Sequence, residues 1–340
     1  MGKHGQTKSK KKKNKKKKIF GFKFFVIILI MIGIAGGWFA KRVYDLDGNW
    51  LAAIMGHSRK TIEKLDRITV LLLGESGGNT DTIMLVTYDP KIQEAGMLSI
   101  PRDTFVGNDK NDPKQAKAAN KINSLYHESP EKVVAAVSKI VGIDIKYYVL
   151  IDTKVLVELV DIIGGIEYTV PIDMRYDDVT QDLHINLKQG KQKLNGDQVE
   201  QLVRFRHNNM GAPYYGSTYP YDWGIEDYGR MRTQRAVAIV VARQTIKLKN
   251  VFEIGQIIDT LEKNVDTNVN VKAVKDYIPY GIKIDLETIK SYQLPGADSN
   301  SNPAGIWFFY HDKEETKRIV DEMFNLNPPV DGATDADIVS

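Results

Sequence analysis

A run of 22 residues near the N-terminus, "IFGFKFFVIILIMIGIAGGWFA" (19–40), interrupted by a single charge at Lys23, decides how the rest of the chain must be read. That length and character match the roughly 30 Å hydrocarbon layer of a bilayer. Residues 1–18 before it hold ten lysines and no acid, so the positive-inside rule keeps this tail in the cytoplasm and exports the remainder of the chain. A cleaved signal peptide needs a shorter apolar core and a small-residue cleavage site. Here bulky Trp38 and Phe39 close the segment and Lys41-Arg42 come next, which favours an uncleaved signal anchor. The expectation is a single-pass cell-membrane protein with its N-terminus cytoplasmic and its domain extracellular.

Charge supports the same division. The formal net charge is +4, and residues 1–42 contribute +13, which leaves −9 for the remainder. Nucleic-acid binding needs a basic face on the folded part, so an acidic domain argues against it. A lysine tail beside a membrane acts as a topology determinant drawn to anionic headgroups. The absence of cysteine excludes a disulfide framework and thiol chemistry, and suits a cell-surface protein.

The expected organisation is a cytoplasmic tail (1–18), a transmembrane anchor (19–40), a helical stalk (41–65), one extracellular domain (66–326) and a disordered end (327–340). "ITVLLLG", "TIMLVTYDP" and "AGMLSIP" read as buried strands. "SPEKVVAAVSKIVG" reads as a helix with Ser129 as N-cap, Pro130 at the first position and Gly142 closing it. "YYVLI" and "IEYTVP" are strands flanking a helix capped by Asp152. Residues 195–202 form a short helix leading into an extended "VRFRH", and "GRMRTQRAVAIVVARQTIKLK" is a long helix. Val251 to Leu286 reads as helical with breaks, and a final helix carries Asp312 and Glu315 at capping-box spacing. Alternating strands and helices place the domain in the α/β class, as an αβα sandwich around a central mixed β-sheet.

Five arginines concentrate the chemistry. In an extended "LVRFR", Arg204 and Arg206 share a face while Val203 and Phe205 enter the core. On the next helix Arg230 and Gln234 are four apart on one face, and Arg232 and Arg235 lie on another. Clustered guanidiniums need anions. In an acidic domain its own carboxylates can serve, but the guanidinium fork also matches phosphate oxygens, and arginines converging from two elements make a pyrophosphate clamp. Arg102 in "LSIPRDTF" comes after a strand, where α/β sheets gather ligands. Asp81 and Asp103 supply hard oxygens of the kind Mg²⁺ accepts beside a phosphate. Asp103 and Asp227 are general-base candidates by position.

The runs "DTIMLVTYDP", "MLSIPRDTFV", "KINSLY", "DIIGGIEYTV", "LNGDQVEQLVRFRH" and "DYGRMRTQR", in this order behind one anchor, resemble the LytR-CpsA-Psr (LCP) family of cell-wall phosphotransferases, over roughly residues 68–249. The resemblance implies a domain that holds a polyprenyl pyrophosphate-linked glycan with its lipid in an apolar channel, and moves the glycopolymer phosphate onto a peptidoglycan hydroxyl. By that resemblance Arg102, Arg204, Arg206, Arg230 and Gln234 correspond to pyrophosphate ligands, Asp81 to a magnesium ligand and Asp227 to an acid beside the arginine helix. Two positions depart. Asn79 stands where most members have arginine, and a second metal-binding aspartate has only Glu75 and Ser76 as replacements in the short "GESGGNTD". The helices at Val133–Val141 and Val155–Ile163 are the candidates for a lipid-channel wall, and the Tyr- and Trp-rich "NMGAPYYGSTYPYDWGIED" for sugar contacts. The departures keep open a non-catalytic attenuator of envelope synthesis. A pyrophosphatase is a variant of the enzyme reading, and a transcription regulator conflicts with the topology.

Overall fold

A computed structural model of the protein describes residues 31–76, 78–209, 226–245, 247, 253–324 and 326. The chain divides into two compact units, Met1–Leu65 and Asp66–Ser340. In the first, residues 31–45 are helical, and short helices occur at Trp50–Ile54 and Arg59–Lys64. Asn49 starts the former by accepting the Ala52 N–H at 3.0 Å. Among the described residues no helix is long and apolar enough to cross a membrane. Residues 19–30, the first part of the apolar run, lie outside the described residues.

The second unit is a mixed α/β fold around a six-stranded sheet. Its strands are β1 (Ile68–Ser76), β2 (Asn79–Asp89), β3 (Glu94–Ser99), β4 (Tyr147–Asp152), β9 (Asp266–Thr267) and β10 (Lys290–Gln293), in the order β10-β3-β2-β1-β4-β9. β1 pairs parallel with β4 and β3 with β10, and the other pairs are antiparallel. The three strands read first in the sequence form the centre of this sheet with β4. The reading of Val251 to Leu286 as helix with breaks agrees with helices at Ile254–Asn264, Val271–Val274 and Ile278–Gly281 but missed the two-residue β9 between them, and β10, beyond that stretch, was missed as well, because strands so short give no periodicity. Residues 248–252 lie outside the described residues.

Side-chain alternation gives the sheet two different faces. Leu71, Leu73, Ile83, Leu85 and Leu98 pack in one core cluster with Val133 and Val137 of α1 (Pro130–Val141) and with Ile319 and Val320 of the last helix, α5 (Lys313–Phe324). Each of these buried aliphatic side chains contributes about 1.5–3 kcal/mol. The alternate residues Leu72, Gly74, Thr82 and Met84 face a cavity instead. Beyond it lie α2 (Thr153–Ile162), α3 (Gly196–Arg204) and α4 (Glu226–Thr245), backed by the pairs β5 (Ile166–Val170) with β8 (Gly190–Leu194) and β6 (Met174–Asp178) with β7 (Leu183–Leu187). Val160, Leu202, Phe205 and Val237 join these hairpins in a second core.

Several caps agree with the sequence. α1 starts after Ser129 with Pro130 in its first turn and stops at Gly142, whose φ of 70° is left-handed. Asp152 accepts the Val155 N–H at 2.8 Å. Two expectations are corrected. The segment "LVRFR" is not a strand: Asn195 and Gln198 form a reciprocal capping box that starts α3, and the helix runs through Leu202 and Val203 to Arg204 before Phe205 turns extended. At α5, Asp312 accepts from the Glu314 and Glu315 N–H groups, both at 3.0 Å, but Glu315 pairs with Arg318 rather than reaching back, so only half a capping box exists.

Gly196 shows how closely α3 is pressed against α2. A Cβ there would stand 2.4 Å from the Val157 carbonyl oxygen, while its N–H donates to Asp161 at 2.8 Å. Because the obstacle is backbone, relief requires α3 to move. We expect Gly196→Ala to cost about 1–3 kcal/mol, read as a lower midpoint in thermal or denaturant unfolding. An unchanged midpoint contradicts this close contact.

Candidate functional site

A cavity of about 570 Å³ lies between the sheet face and helices α2, α3 and α4. Most of its wall is aliphatic: Leu72 and Met84 from the sheet, Leu156 and Leu159 from α2, and Val237, Ala238, Val241 and Ala242 from α4. Of the two helices expected to wall a lipid channel, α2 lines this cavity and α1 does not, because it packs on the opposite sheet face. α4 supplies the second wall, a role its sequence did not suggest because arginines dominate its first turns.

The polar lining comprises Thr82, Asp152 and Thr153 and, besides these, Glu75, Asp81, Arg102, Arg204, Arg206, Arg230 and Gln234 together with Tyr176, Gln181 and His207. Seven of the nine residues singled out in the sequence are thus in the lining; Asp227 lies immediately behind it, and Asp103 lies outside it, shared between Lys121 and Arg102. The last three lining residues were missed. The β6–β7 hairpin that bears Tyr176 was overlooked, although Leu183, Ile185 and Leu187 alternate clearly at strand period.

Each arginine is held by a definite local device. Arg102 lies in a turn after β3, where Thr104 N–H and Oγ1 both return to the Pro101 carbonyl, at 3.0 and 2.6 Å. Its own carbonyl accepts the Asn123 N–H at 3.2 Å. Arg204 ends α3 and pairs with Glu200 one turn back, at 3.0 Å. Phe205, fully buried, separates Arg204 from Arg206 and pins both outside the core. The next residues are fixed as well, since Asn208 Oδ1 accepts the Arg175 N–H at 2.6 Å and Asn209 also bonds to β6. Arg230 and Gln234 are one turn apart on α4, and Gln234 Nε2 donates to the Val203 carbonyl at 3.1 Å, tying α4 to the end of α3.

Asp227 joins three of these arginines. Its carboxylate is 2.9 Å from Arg206 Nε, 3.1 Å from Arg230 Nη2 and 3.6 Å from Arg102 Nε. Asp81 completes the group, 2.5 Å from Arg102 Nη1 and 3.9 Å from Arg230 Nη1, while its backbone carbonyl accepts from Arg230 at 3.3 Å. These carboxylates do not use up the donors. The Nε groups of Arg102, Arg206 and Arg230 are buried without a hydrogen-bonded acceptor; the short Arg206–Asp227 contact lacks the required alignment.

The electrostatics divide the cluster. Burial alone would lower the Arg102 pKa, but Asp81, Asp227 and Asp103 raise it above its usual value. Arg230, with only 5% of its surface exposed, goes the other way: burial lowers its pKa, Arg102 and Arg206 add to this, and Asp227 and Asp81 do not fully offset it. A further anion near Arg230 would be stabilising.

Arg235 is not part of this group. It is buried against β10, where its Nε donates to Ser291 Oγ at 3.2 Å, and burial with Arg232 nearby lowers its pKa to about 10. Asp103 pairs with Lys121 at 2.8 Å. Glu75 Oε1 accepts the Gly78 N–H at 2.7 Å, and β1 runs to Ser76 while β2 resumes at Asn79, directly paired with it. The short "GESGGNTD" is therefore a hairpin turn and not a loop that folds over a ligand. No group of three His, Asp or Glu residues suited to holding a metal occurs among the described residues. The "NMGAPYYGSTYPYDWGIED" segment lies, from residue 210 to 225, outside the described residues.

Several known proteins resemble this chain. Over 295 residues the chain is 27% identical to a Bacillus cereus protein named polyisoprenyl-teichoic acid–peptidoglycan teichoic acid transferase TagU, covering 82% of this chain and 88% of that one. It is 29% identical over 225 residues to the biofilm regulatory protein A of Streptococcus mutans, covering 64% of this chain and 52% of that protein. Among solved structures, Bacillus subtilis TagV superposes with a TM-score of 0.61 at 23% identity, covering 77% of this chain and 98% of that one. A TagT structure bound to the ligand designated LIIa-WTA superposes at 0.57 with 24% identity, covering 76% and 90%. At these identities the two structures speak for the fold. The LytR_cpsA_psr family profile matches residues 45–325, well beyond the segment whose motifs carried the resemblance, and the chain belongs to that family.

Proposed function

We propose that the protein is a glycopolymer transferase that takes a polyprenyl pyrophosphate-linked glycan and attaches its glycosyl phosphate to peptidoglycan. The observation that carries this reading is the junction of two unlike surfaces: a group of converging arginines meets a largely aliphatic cavity of about 570 Å³. A pyrophosphate with one isoprenoid arm has that division of character. The name of the Bacillus cereus relative points to the same chemistry.

In the proposed reaction an acceptor hydroxyl forms a new O–P bond to the phosphoryl group bearing the glycan. The bridging P–O bond breaks, polyprenyl monophosphate leaves with the bridging oxygen, and the hydroxyl proton passes to a base or solvent. Such transfers depend on position and charge stabilisation. Arg102, Arg206 and Arg230 would orient the pyrophosphate and neutralise charge gathering on the leaving oxygen, with Arg204 at the cavity wall. Asp227 keeps the three guanidiniums converged before the substrate arrives.

Magnesium fits this donor set only in one way. Asp81 and Glu75 are already engaged, by arginines and by a turn N–H respectively. Mg²⁺ accepts one or two carboxylates when phosphates complete its shell, so it would arrive with the pyrophosphate. Asp81, with Glu75 at the rim, would hold it, and the ion would supply Lewis-acid polarisation of the phosphoryl oxygens. The same engagements favour the second reading, a lipid-pyrophosphate-binding attenuator that binds without transferring.

The N-terminal run is proposed to anchor the domain outside the membrane. Protease added to wall-stripped cells is expected to remove the domain and spare the lysine tail; protection of the domain contradicts the placement.

Replacing Arg206 and Arg230 by Lys keeps the charge but removes the forked geometry. We expect the double variant to bind a polyprenyl pyrophosphate at least tenfold more weakly while remaining folded, as charge-assisted contacts contribute about 1.5–3 kcal/mol each. Wild-type affinity would mean that these arginines serve only Asp227.

Asn79→Arg tests the departure from the family. It adds a guanidinium two residues from Asp81 on the same strand, and one donor acting on developing charge can raise turnover up to about a hundredfold. The expected result is faster magnesium-dependent transfer with unchanged thermal stability. Binding of donor without transfer, in both wild type and Asn79→Arg, selects the attenuator.

A further inference from the structure

We propose that the rim on the far side of Arg102 is a saccharide-binding subsite that seats the acceptor glycan, with Trp307 as its stacking platform. The proposal rests on the transfer reading above for its direction of attack.

The division falls between two neighbouring residues. Arg102 lines the apolar cavity, whereas Asp103 does not, and its carboxylate stands 2.8 Å from Lys121 Nζ. Tyr228, adjacent in sequence to Asp227, sends its hydroxyl to Asp298 on β11 (Gly296–Ser299). Burial, together with Asp298, Asp227 and Asp103, raises the Tyr228 pKa, so it remains a neutral hydrogen-bond donor. β11 pairs with β12 (Phe308–His311), and β12 is joined to the Arg102 turn on both sides of one residue. Phe309 N–H donates to the Asp103 carbonyl, and Phe105 N–H donates to the Phe309 carbonyl, each at 2.9 Å.

Trp307 is two residues from Phe309, about 7 Å of chain at most. Its indole is 60% exposed. On the other side of the Arg102 turn, Asn123 Oδ1 is buried without a hydrogen-bond partner, in the residue whose backbone N–H holds the Arg102 carbonyl. An exposed flat ring on the chain that enters β12, whose Phe309 is bonded to the Asp103 backbone and registered with Asp298, matches a pyranose, which offers an apolar C–H face and a girdle of hydroxyl donors. A phosphate or an acidic peptide would instead meet Asp103 and Asp298 as like charges.

Mechanism gives the same side. In an in-line displacement the entering oxygen lies opposite the leaving one. The leaving polyprenyl phosphate belongs to the aliphatic cavity, so the acceptor hydroxyl must enter past Arg102 from the side of Asp103. Donor and acceptor would then meet across a single turn of chain, with Trp307 outside the donor cavity and in contact with neither phosphate.

The test uses the full-length protein in detergent micelles and soluble, uncrosslinked peptidoglycan glycan strands as the probe, with binding followed calorimetrically in the absence of donor. Trp307→Ala is expected to weaken strand binding about tenfold or more, as for a buried aromatic anchor. Trp307→Phe should stay within a fewfold of wild type, and both should bind polyprenyl pyrophosphate normally. Unchanged strand affinity in Trp307→Ala overturns the proposal, as does a wild-type protein that binds no strands, or an equal loss of strand and donor binding. If strand binding depends on Trp307 although no polymer is transferred, the subsite stands and the transfer reading falls.

Discussion

The arrangement of the site depends on one carboxylate. Guanidiniums brought within a few ångströms of one another in a partly buried setting repel by several kcal/mol at an effective dielectric constant near 20. Asp227 offsets this by lying within 4 Å of Arg102, Arg206 and Arg230 at once. Arg230 has almost no access to water, so removal of Asp227 would leave its buried charge with only the longer Asp81 contacts, at a cost of up to about 3–5 kcal/mol. Asp227 is accordingly a condition for the local fold as well as a feature of the site. It is the reason that arginines from a β-turn, a helix end and a helix face can share one opening.

The sheet provides the second constraint. Because successive residues of β1 and β2 face opposite sides, the strands that form the main core with Leu71, Leu73, Ile83 and Leu85 also floor the cavity with Leu72, Gly74, Thr82 and Met84. A tightly packed layer of α1 and α5 on one side leaves the other side free to enclose empty volume. The cavity is kept open by helices that are fixed elsewhere: α3 against α2 through Gly196, and α4 against α3 through the Gln234 bond to Val203.

Legibility in the sequence tracked the strength of the local signal. The central strands, the Ser129–Pro130 start of α1 and the Asp152 cap were readable because each depends on neighbours in the chain. So was the membership of the arginine cluster, since Arg204 and Arg206 do flank a buried Phe205. Their setting was not readable. An alternating apolar and charged pattern in "LVRFR" looks extended, but the Asn195–Gln198 capping box lies far enough upstream that its helix continues to Arg204. Helical spacing had already set Arg232 and Arg235 on another face from Arg230, and Arg235 does turn to Ser291 and away from Asp227. Asp227 itself appeared as an acid beside the arginines, but its bridging of three elements is a tertiary fact. Short edge strands and the β6–β7 hairpin were missed where charges such as Asp177 and Asp178 obscure the alternation.

The order of charge at the site bears on how a substrate would be admitted. In the free protein Asp81 is held by Arg102 and approached by Arg230, and Glu75 closes a turn. A bare divalent cation would have to compete with two guanidiniums for Asp81 and would gain no third carboxylate among the described residues. In the proposed reading a pyrophosphate would reverse this balance. Its oxygens would compete with Asp81 and Asp227 for the guanidiniums of Arg102, Arg206 and Arg230, which would weaken the hold of Arg102 on Asp81 and add the oxygens that magnesium needs. Lipid and metal would then enter together, the aliphatic cavity selecting the first and the phosphate selecting the second. On this account the loss of a dedicated metal loop does not by itself remove the metal, because part of the coordination shell is delivered by the substrate.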